Sequence, residues 1–368
     1  MKILIVITGL GVGGAERLVT ALADRYAAVG HEVLLLRLGG EAELTPQDHR
    51  VSLENLRMSR SPWSLLVGLV RFRRLVLTFK PDVVNSHLAH ANILARLLRL
   101  ITPMPRLISS AHNTTDGGRA RMLGYRLTDG LANISTNVSR EAVNAFQEKG
   151  AVRPGRMVAI HNGIDTSAFS FDPAARKRVR EELGLAESTS LFLAVGRLCQ
   201  QKDYPNLLRA FARISGTQNA PRLAIVGDGP LRADLDAMAA ALMVKDRVHF
   251  LGIRHDIPAL MAACDVFVLA SAWEGFGLVV AEAMACERLV VATDCGGVRE
   301  VVEQNGILVP PHECEALATA LGKALHLGNE ERSRLGRAAR SRVIKYFSLN
   351  ATADRYLGVY RGKADSPA

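Results

Sequence analysis

The sequence predicts an α/β protein built from two doubly wound, parallel-sheet domains. Three observations carry that expectation. The 368 residues exceed the roughly 100–200 that one domain ordinarily holds. Short β-branched runs alternate with amphipathic helical stretches, and they do so in two successive series, the pattern of parallel strands joined by helical crossovers. Hydrophobic residues make up 48% but aromatics only 5%, so aliphatic packing between helix and sheet layers has to supply the core.

The first series opens with a strand at 2–8 and a helix at 14–29. Strands at 32–38, 51–54, 82–86, 106–111, 132–135 and 157–160 follow, with helices at 62–79, 90–101 and 139–149. The second series has strands at 191–195, 222–226, 247–250, 265–269, 288–292 and 306–309. Helices at 174–183, 203–214, 231–241, 256–263, 278–286 and 313–326 separate them. The domain boundary is placed at His161-Asn162-Gly163-Ile164-Asp165, a stretch with turn chemistry after a strand. Two closing helices, 331–345 and about 349–361, precede a tail at 362–368 that is expected to fray. In such sheets ligands bind outside the carboxyl ends of the strands.

Several classes are disfavoured. No uncharged apolar run reaches 18 residues, so no membrane span is indicated. The apolar start at 1–7 is strand-like and too short for a signal peptide. Five cysteines (Cys199, Cys264, Cys286, Cys295 and Cys314) include no pair at CxxC spacing, which points to a reduced, cytoplasmic protein with cysteines as small apolar fillers.

Charge is unevenly placed. Residues 1–165 carry 21 Lys/Arg against 13 Asp/Glu, a net +8, while the remainder carries 25 against 23, a net +2. Within 57–106, nine basic residues, Arg60 among them, face one acid, Asp82. Such a segment needs an anionic partner or serves solubility. The stretch 63–79 is also very apolar around much of the helical wheel, with Arg71, Arg73 and Arg74 interrupting it. Two readings stand: a helix lying in a membrane interface with Trp63 at the headgroup level, or a core helix whose arginines reach solvent. Nucleic acid is disfavoured because no stacking aromatics interleave the arginines.

Four loops carry candidate chemistry. After the first strand comes Thr8-Gly9-Leu10-Gly11-Val12-Gly13-Gly14-Ala15-Glu16, where glycines let backbone approach a phosphate at a helix N-terminus. Gly9, Gly11 and Gly14 spell G-x-G-x-x-G, but the second strand ends Leu36-Arg37-Leu38 without the acid a nicotinamide cofactor requires. After strand 191–195 come Arg197 and Lys202, two cations suited to a diphosphate or simply two surface charges. Gly227-Asp228-Gly229-Pro230 is a tight strand-to-helix turn. Glu274-Gly275-Phe276-Gly277-Leu278 leads into a helix that carries Glu282. The two carboxylates could accept from hydroxyls at opposite ends of a ligand, or serve as a helix-dipole acid and a solvated acid.

Together these pieces resemble the retaining glycosyltransferases of family four. The matching motifs are the 11–16 loop, Ser110-Ala111-His112-Asn113, Asn162-Gly163-Ile164-Asp165, Gly196-Arg197 with Lys202, Gly227-Asp228-Gly229-Pro230, and the E-x7-E pair Glu274 and Glu282. The resemblance covers residues 1 to about 361. It implies the GT-B architecture, two Rossmann-like domains facing a central cleft. Residues 1–165 would form the acceptor and membrane-facing domain and 166–348 the nucleotide-sugar domain, with 349–368 returning to the first.

The resemblance also implies roles. Glu282 accepts from nucleotide ribose hydroxyls. Glu274, with the backbone of Phe276, Gly277 and Leu278, holds the donor sugar and diphosphate. Arg197 and Lys202 neutralise the leaving diphosphate without a metal or other cofactor, His112 faces the sugar near its anomeric carbon, Gly13 and Gly14 close over the donor, and Arg254 borders the base. His87 and His90 either line the acceptor site or pack and cap.

The expectation is a retaining, metal-independent hexosyltransferase that is cytoplasmic and peripheral on the inner face of the plasma membrane. It takes a UDP-hexose or UDP-N-acetylhexosamine and a lipid-diphosphate-linked glycan, in O-antigen, lipopolysaccharide or related polysaccharide synthesis. The alternatives are a GDP-mannose-dependent mannosyltransferase, a non-hydrolysing nucleotide-sugar epimerase on the same fold, and a degenerate nucleotide-sugar binder. The intact Glu274, Glu282, Arg197 and Lys202 disfavour the last.

Overall fold

The computed structural model describes residues 1–11, 13–40, 42–59, 61–114, 118–214, 216 and 220–363. Val12 and Arg60, and the tail from 364 onward, lie outside the described residues. The chain divides into unit 1, Met1–Gly163 with Leu349–Ala368, and unit 2, Ile164–Ser348.

Unit 1 contains strands β1 (Lys2–Ile7), β2 (Glu32–Arg37), β3 (Val51–Asn55), β4 (Val83–His87), β5 (Leu107–Ser110), β6 (Ile134–Asn137) and β7 (Met157–Ala159). They form one parallel sheet in the order β3-β2-β1-β4-β5-β6-β7. Helices α1 (Gly14–Ala28), α2 (Pro62–Phe79), α3 (Ala89–Leu98), α4 (Arg119–Thr128) and α5 (Arg140–Glu148) connect them. The central strand β1 is apolar on both faces because helices cover both sides. One cluster sets Ile3, Ile5 and Ile7 against α1, and another sets Leu4, Val6 and Leu36 against Phe72 and Val76 of α2.

Helix α2 settles how the apolar stretch 63–79 is used. Gly68, Phe72 and Val76 are buried, so one stripe faces the core. Trp63 (72% exposed), Leu65, Leu66 and Val70 (61%) point to solvent beside exposed Arg71, Arg73 and Arg74. No helix among the described residues is long and apolar enough to cross a membrane.

Unit 2 contains β8 (Leu191–Val195), β9 (Arg222–Val226), β10 (Val248–Gly252), β11 (Val266–Leu269), β12 (Leu289–Thr293) and β13 (Ile307–Val309). Their parallel order is β10-β9-β8-β11-β12-β13. Around it lie α6 (Pro173–Glu182), α7 (Tyr204–Ile214), α8 (Arg232–Ala241), α9 (Ile257–Ala263), α10 (Leu278–Ala285), α11 (Val298–Val302), α12 (Cys314–His326) and α13 (Asn329–Phe347). Local chemistry fixes the start of α6. Asp172 caps α6 by accepting from the backbone N–H of Ala174 (2.8 Å) and Ala175 (3.1 Å), and Pro173 fills the first turn. The chain then returns to unit 1 through α14 (Leu349–Tyr360), whose Tyr356 and Tyr360 join the core beside Tyr26.

Each sheet reverses its strand order once, between β1 and β4 and between β8 and β11. Such switch points are where open α/β sheets make room for ligands. Two helices, α4 and α11, fall in segments where the sequence suggested none. Helix α4 carries Arg119, Arg121 and Arg126 with Gly124 near its middle, and α11 spans only five residues, so neither shows a readable 3.6-residue period.

Candidate functional site

In unit 2 the candidate residues gather at the β8/β11 switch point. Arg197 and Lys202 follow β8, and Glu274 follows β11. Lys202 Nζ donates to Glu274 Oε1 at 2.5 Å, and Ser271 Oγ donates to the same oxygen at 2.7 Å. Glu274 is 8% exposed, so this pair is largely withdrawn from solvent screening. Both contacts converge on Oε1, which leaves Oε2 to accept from a ligand hydroxyl. Backbone bonds lace the two loops together: Ala272 N–H donates to Gln201 O (2.8 Å), and the Gln201 side chain donates to Trp273 O (3.0 Å). Arg197 is exposed and has no ion-pair partner among the described residues.

The loop after β11 runs straight into α10. Gly277 caps it with φ +83°, a left-handed conformation that disfavours any side chain. Leu278 opens the helix, and Glu282 lies one turn on, 8% exposed. The Phe276 ring turns inward against Phe347, with centroids 5.6 Å apart. What Phe276 can offer a ligand is therefore its backbone.

The glycines of unit 2 answer to neighbouring backbone. A Cβ on Gly227 would lie 2.1 Å from Gly196 O, and one on Gly229 would lie 2.5 Å from Leu198 O. The Gly227–Gly229 turn thus buttresses the loop that carries Arg197. Gly296, which follows β12, was not legible as a site residue. Its φ is +57°, and a Cβ there would lie 1.9 Å from Glu274 O. Ser271 was missed too. The available signal for Gly296 was Gly296-Gly297 between a strand and a helix, the same grammar as the other loops. Ser271 gave none.

Arg254 stands apart in its bonding. It donates to both carboxylate oxygens of Asp256 (2.8 and 2.7 Å) and to both of Glu182 (2.6 and 3.2 Å). These bonds push its pKa up and fix the guanidinium within unit 2.

In unit 1 the candidates sit around the β1/β4 switch point. Gly13 caps α1 and Gly14 opens it. The Glu16 side chain folds back over Gly13, where a Cβ would meet its Oε2 at 2.3 Å, and burial raises the Glu16 pKa. By contrast, a Cβ on Gly9 or Gly11 would meet nothing among the described residues closer than 3.6 and 3.8 Å respectively.

The ends of β4, β5 and β6 are polar yet buried. Ser110 Oγ donates to Asn85 Oδ1 (2.9 Å), Thr136 Oγ1 to Ser110 Oγ (2.9 Å), and Asn85 Nδ2 to Tyr360 Oη (2.7 Å). Beside this network His87 Nδ1 and His112 Nε2 share a hydrogen bond of 3.0 Å. Burial holds the His112 pKa down to about 4 and lowers that of His87 as well. His87 is thus packed against His112, whereas His90 is exposed on α3.

Comparisons with known proteins bear on the family and the fold. The family model "Glycosyltransferase Family 4" matches residues 12–168, and "Glycosyl transferases group 1" matches residues 175–342. The chain is 26% identical to the N-acetyl-alpha-D-glucosaminyl L-malate synthase of Bacillus anthracis, over 95% of this chain and 94% of that one. It is 27% identical to an Escherichia coli UDP-Gal:alpha-D-GlcNAc-diphosphoundecaprenol alpha-1,3-galactosyltransferase, over 80% and 78%. Among solved structures, HepE of Anabaena in complex with UDP has a TM-score of 0.86 at 24% identity, covering 98% of this chain and all of that one (100%). Sucrose-phosphate synthase of Thermosynechococcus elongatus has a TM-score of 0.83 at 22% identity, over 98% and 99%.

Proposed function

Because the chain belongs to the GT-B glycosyltransferases, enzymes that draw on a nucleotide sugar, with a Family 4 first half and a group 1 second half, we propose the following reaction for it. A hexose or N-acetylhexosamine passes from a UDP-sugar to a glycan held on a lipid diphosphate, with retention at the anomeric carbon and no divalent metal. The observation that carries the reading is the Lys202–Glu274 pair at the β8/β11 switch point, set beside the N-terminus of α10. The UDP in the Anabaena neighbour and the lipid-diphosphate acceptor in the Escherichia coli relative's name support the substrate classes.

Without ligand, Lys202 and Glu274 neutralise each other. A donor diphosphate would draw Lys202 and Arg197 onto its oxygens, and Glu274 would turn to the sugar hydroxyls. The backbone N–H groups of Phe276, Gly277 and Leu278 would add the positive end of the α10 dipole to the leaving group. Glu282 would accept from the ribose, Arg254 would border the base, Gly13 and Gly14 would close over the donor, and His112 would face the sugar. The acceptor hydroxyl attacks from the face the nucleotide leaves. Its oxygen forms the new glycosidic bond, the bond to the diphosphate breaks, and a departing phosphate oxygen takes the proton. Docking at an anionic inner leaflet falls to α2, through Trp63 and its arginines.

A panel of nucleotide sugars tests the reading, with nucleotide release followed with and without a polyprenyl-diphosphate glycan. UDP release that depends on acceptor, a retained anomeric configuration by NMR, and full activity in EDTA are expected. An inverted product rejects the stereochemistry, strict loss in EDTA rejects the metal-free route, and conversion of the donor without acceptor moves the protein to the epimerases.

A further inference from the structure

We propose that His312 is a positioning residue for Lys202: it holds Asp203, the next residue along, and so fixes the loop that sets the lysine opposite Glu274. The inference rests on the role proposed above for Lys202 and lies wholly within unit 2.

His312 stands between β13 and α12, and Asp203 between the short turn Gln200–Lys202 and α7. His312 Nδ1–H donates to Asp203 Oδ2 at 2.9 Å. The direction is fixed, because a carboxylate can only accept. Asp203 also meets the start of α7. Its Oδ1 accepts from Asn206 N–H (3.4 Å), and its carbonyl accepts from Leu207 N–H (3.3 Å). One residue thus ties the loop after β8 to a helix on one side and to the loop after β13 on the other. The two helices give that tie a firm base. Leu207 and Phe211 of α7 share a core with Leu317 and Leu321 of α12, and Arg213 of α7 pairs with Glu315 of α12.

Stability alone does not account for the pair. Asp203 (φ +43°, ψ 45°) and His312 (φ +64°) both occupy the left-handed region, which glycine adopts freely and other residues adopt at a cost. The His312 side chain is 67% exposed, and a pair so open to water adds little stability. Backbone strain kept in two separate crossovers, which meet at one hydrogen bond, belongs with a position held for function.

Lys202 needs such a hold. Its stem runs beside Gly196, where a Cβ would lie 3.0 Å from Lys202 Cε. Its Nζ is tied to Glu274 Oε1 at 2.5 Å. When a diphosphate draws the ammonium away from Glu274, that tie is lost and the backbone at 202–203 has to aim the side chain. Lys202 N–H to Cys199 O (3.1 Å) and Asp203 N–H to Gln200 O (3.2 Å) close the turn. The bond from His312 pins its end.

The test uses the full chain. Glycine at either position keeps the backbone conformation and removes the bond. Relief of strain offsets the extra freedom of the unfolded chain, so His312→Gly and Asp203→Gly should each melt within about 3 °C of wild type. Amide exchange at Lys202 and Asp203 should nonetheless quicken about tenfold in both, with α12 unchanged, and UDP binding by calorimetry should weaken about tenfold. His312→Asn tolerates the left-handed region, offers an Nδ2–H to Asp203, and should restore both readouts. Wild-type exchange at Lys202 and Asp203 in the two glycine variants overturns the proposal, and so does a failure of His312→Asn to restore it. Faster exchange with unchanged UDP binding leaves the hold on the loop standing and strikes the role of Lys202 instead, as would wild-type UDP affinity in Lys202→Ala. In ¹⁵N-histidine NMR of the wild type, His312 should carry a proton on Nδ1; a bare Nδ1 overturns the proposal whether or not the variants fold.

Discussion

At the strand ends of unit 1 a methyl group would fit on Gly9 and Gly11; at the strand ends of unit 2 it would strike backbone on Gly227, Gly229 and Gly296. Unit 1 repeats the strand order of unit 2 with β7 added, and it holds a glycine of the second kind as well, since a Cβ on Gly39 after β2 would lie 2.4 Å from Met58 O. In unit 2 glycine lets three loops pack against one another and hold the Lys202–Glu274 pair. In unit 1 nothing among the described residues crowds a Cβ at Gly9 or Gly11, which leaves room there for a ligand. Polarity divides the same way. Unit 2 sets opposite charges at its switch point, while unit 1 sets neutral imidazoles, amides and hydroxyls there and buries one cation, Arg96, which donates to Ser109 and Ser135.

The sharpest break of this comparison is alanine at Gly296 against alanine at Gly11. Gly296→Ala should reduce kcat/KM by more than about 100-fold and destabilise unit 2, since a left-handed φ and a backbone collision act together. Gly11→Ala should leave the melting temperature within about 1 °C and raise donor KM instead. Equal losses of stability in the two variants would erase the distinction.

The two cations of unit 2 come next. Lys202→Ala leaves Glu274 buried without its partner and should cost about 3 kcal/mol of stability as well as about 100-fold in kcat/KM. Arg197→Ala, at an exposed position, should cost about tenfold in kcat/KM and almost no stability. Chemical denaturation and steady-state kinetics on both variants check the split.

Acid should weaken unit 1 first. The folded pKa of His112, about 4, lies below its unfolded value of 6.5, so the unfolded chain binds more protons between those values. The stability that comes from keeping the ring neutral is complete above pH 6.5 and drains away as pH falls toward 4, to a total of about 3 kcal/mol. Burial shifts His87 in the same direction. Hydrogen exchange at pH 5 and pH 7 should show earlier opening in β4 and β5 than in β8 and β11, and His112→Gln should flatten the pH dependence.

The smallest effect on chemistry belongs to the surface of α2. Reversing Arg71, Arg73 and Arg74 to glutamate should abolish sedimentation with phosphatidylglycerol or cardiolipin vesicles at low salt, at about 1 kcal/mol per charge, and leave turnover of a soluble acceptor within about twofold. A folded triple variant that still sediments would place docking elsewhere.

All thirteen described strands were legible because most are short aliphatic runs between turn residues, and a strand covered by helices on both faces stays apolar along its whole length. Glu274 and Glu282 were singled out by the resemblance, since their spacing alone left a helix-dipole acid and a solvated acid equally open. The partners of Glu274 were not. Lys202 lies 72 residues away and Gly296 belongs to the next crossover, so only the assembled sheet brings them together. His87 carried no signal of its pairing with His112, since β4 and β5 become neighbours only through their register. Helix α4 was missed because its arginines blur the apolar stripe.

Helix α14 makes unit 1 discontinuous: Gly163 is the last residue before the excursion, Leu349 the first after it, and a Cβ on Gly163 would lie 2.8 Å from the Leu349 Cα. Synthesis runs from the N-terminus, so Ile164–Ser348 is complete while unit 1 still lacks Tyr356 and Tyr360, two rings of its core. Unit 1 must wait on the ribosome with part of β1 and α1 uncovered. A fragment ending at residue 348 should therefore show protease cuts confined to unit 1, and addition of the α14 peptide should suppress them.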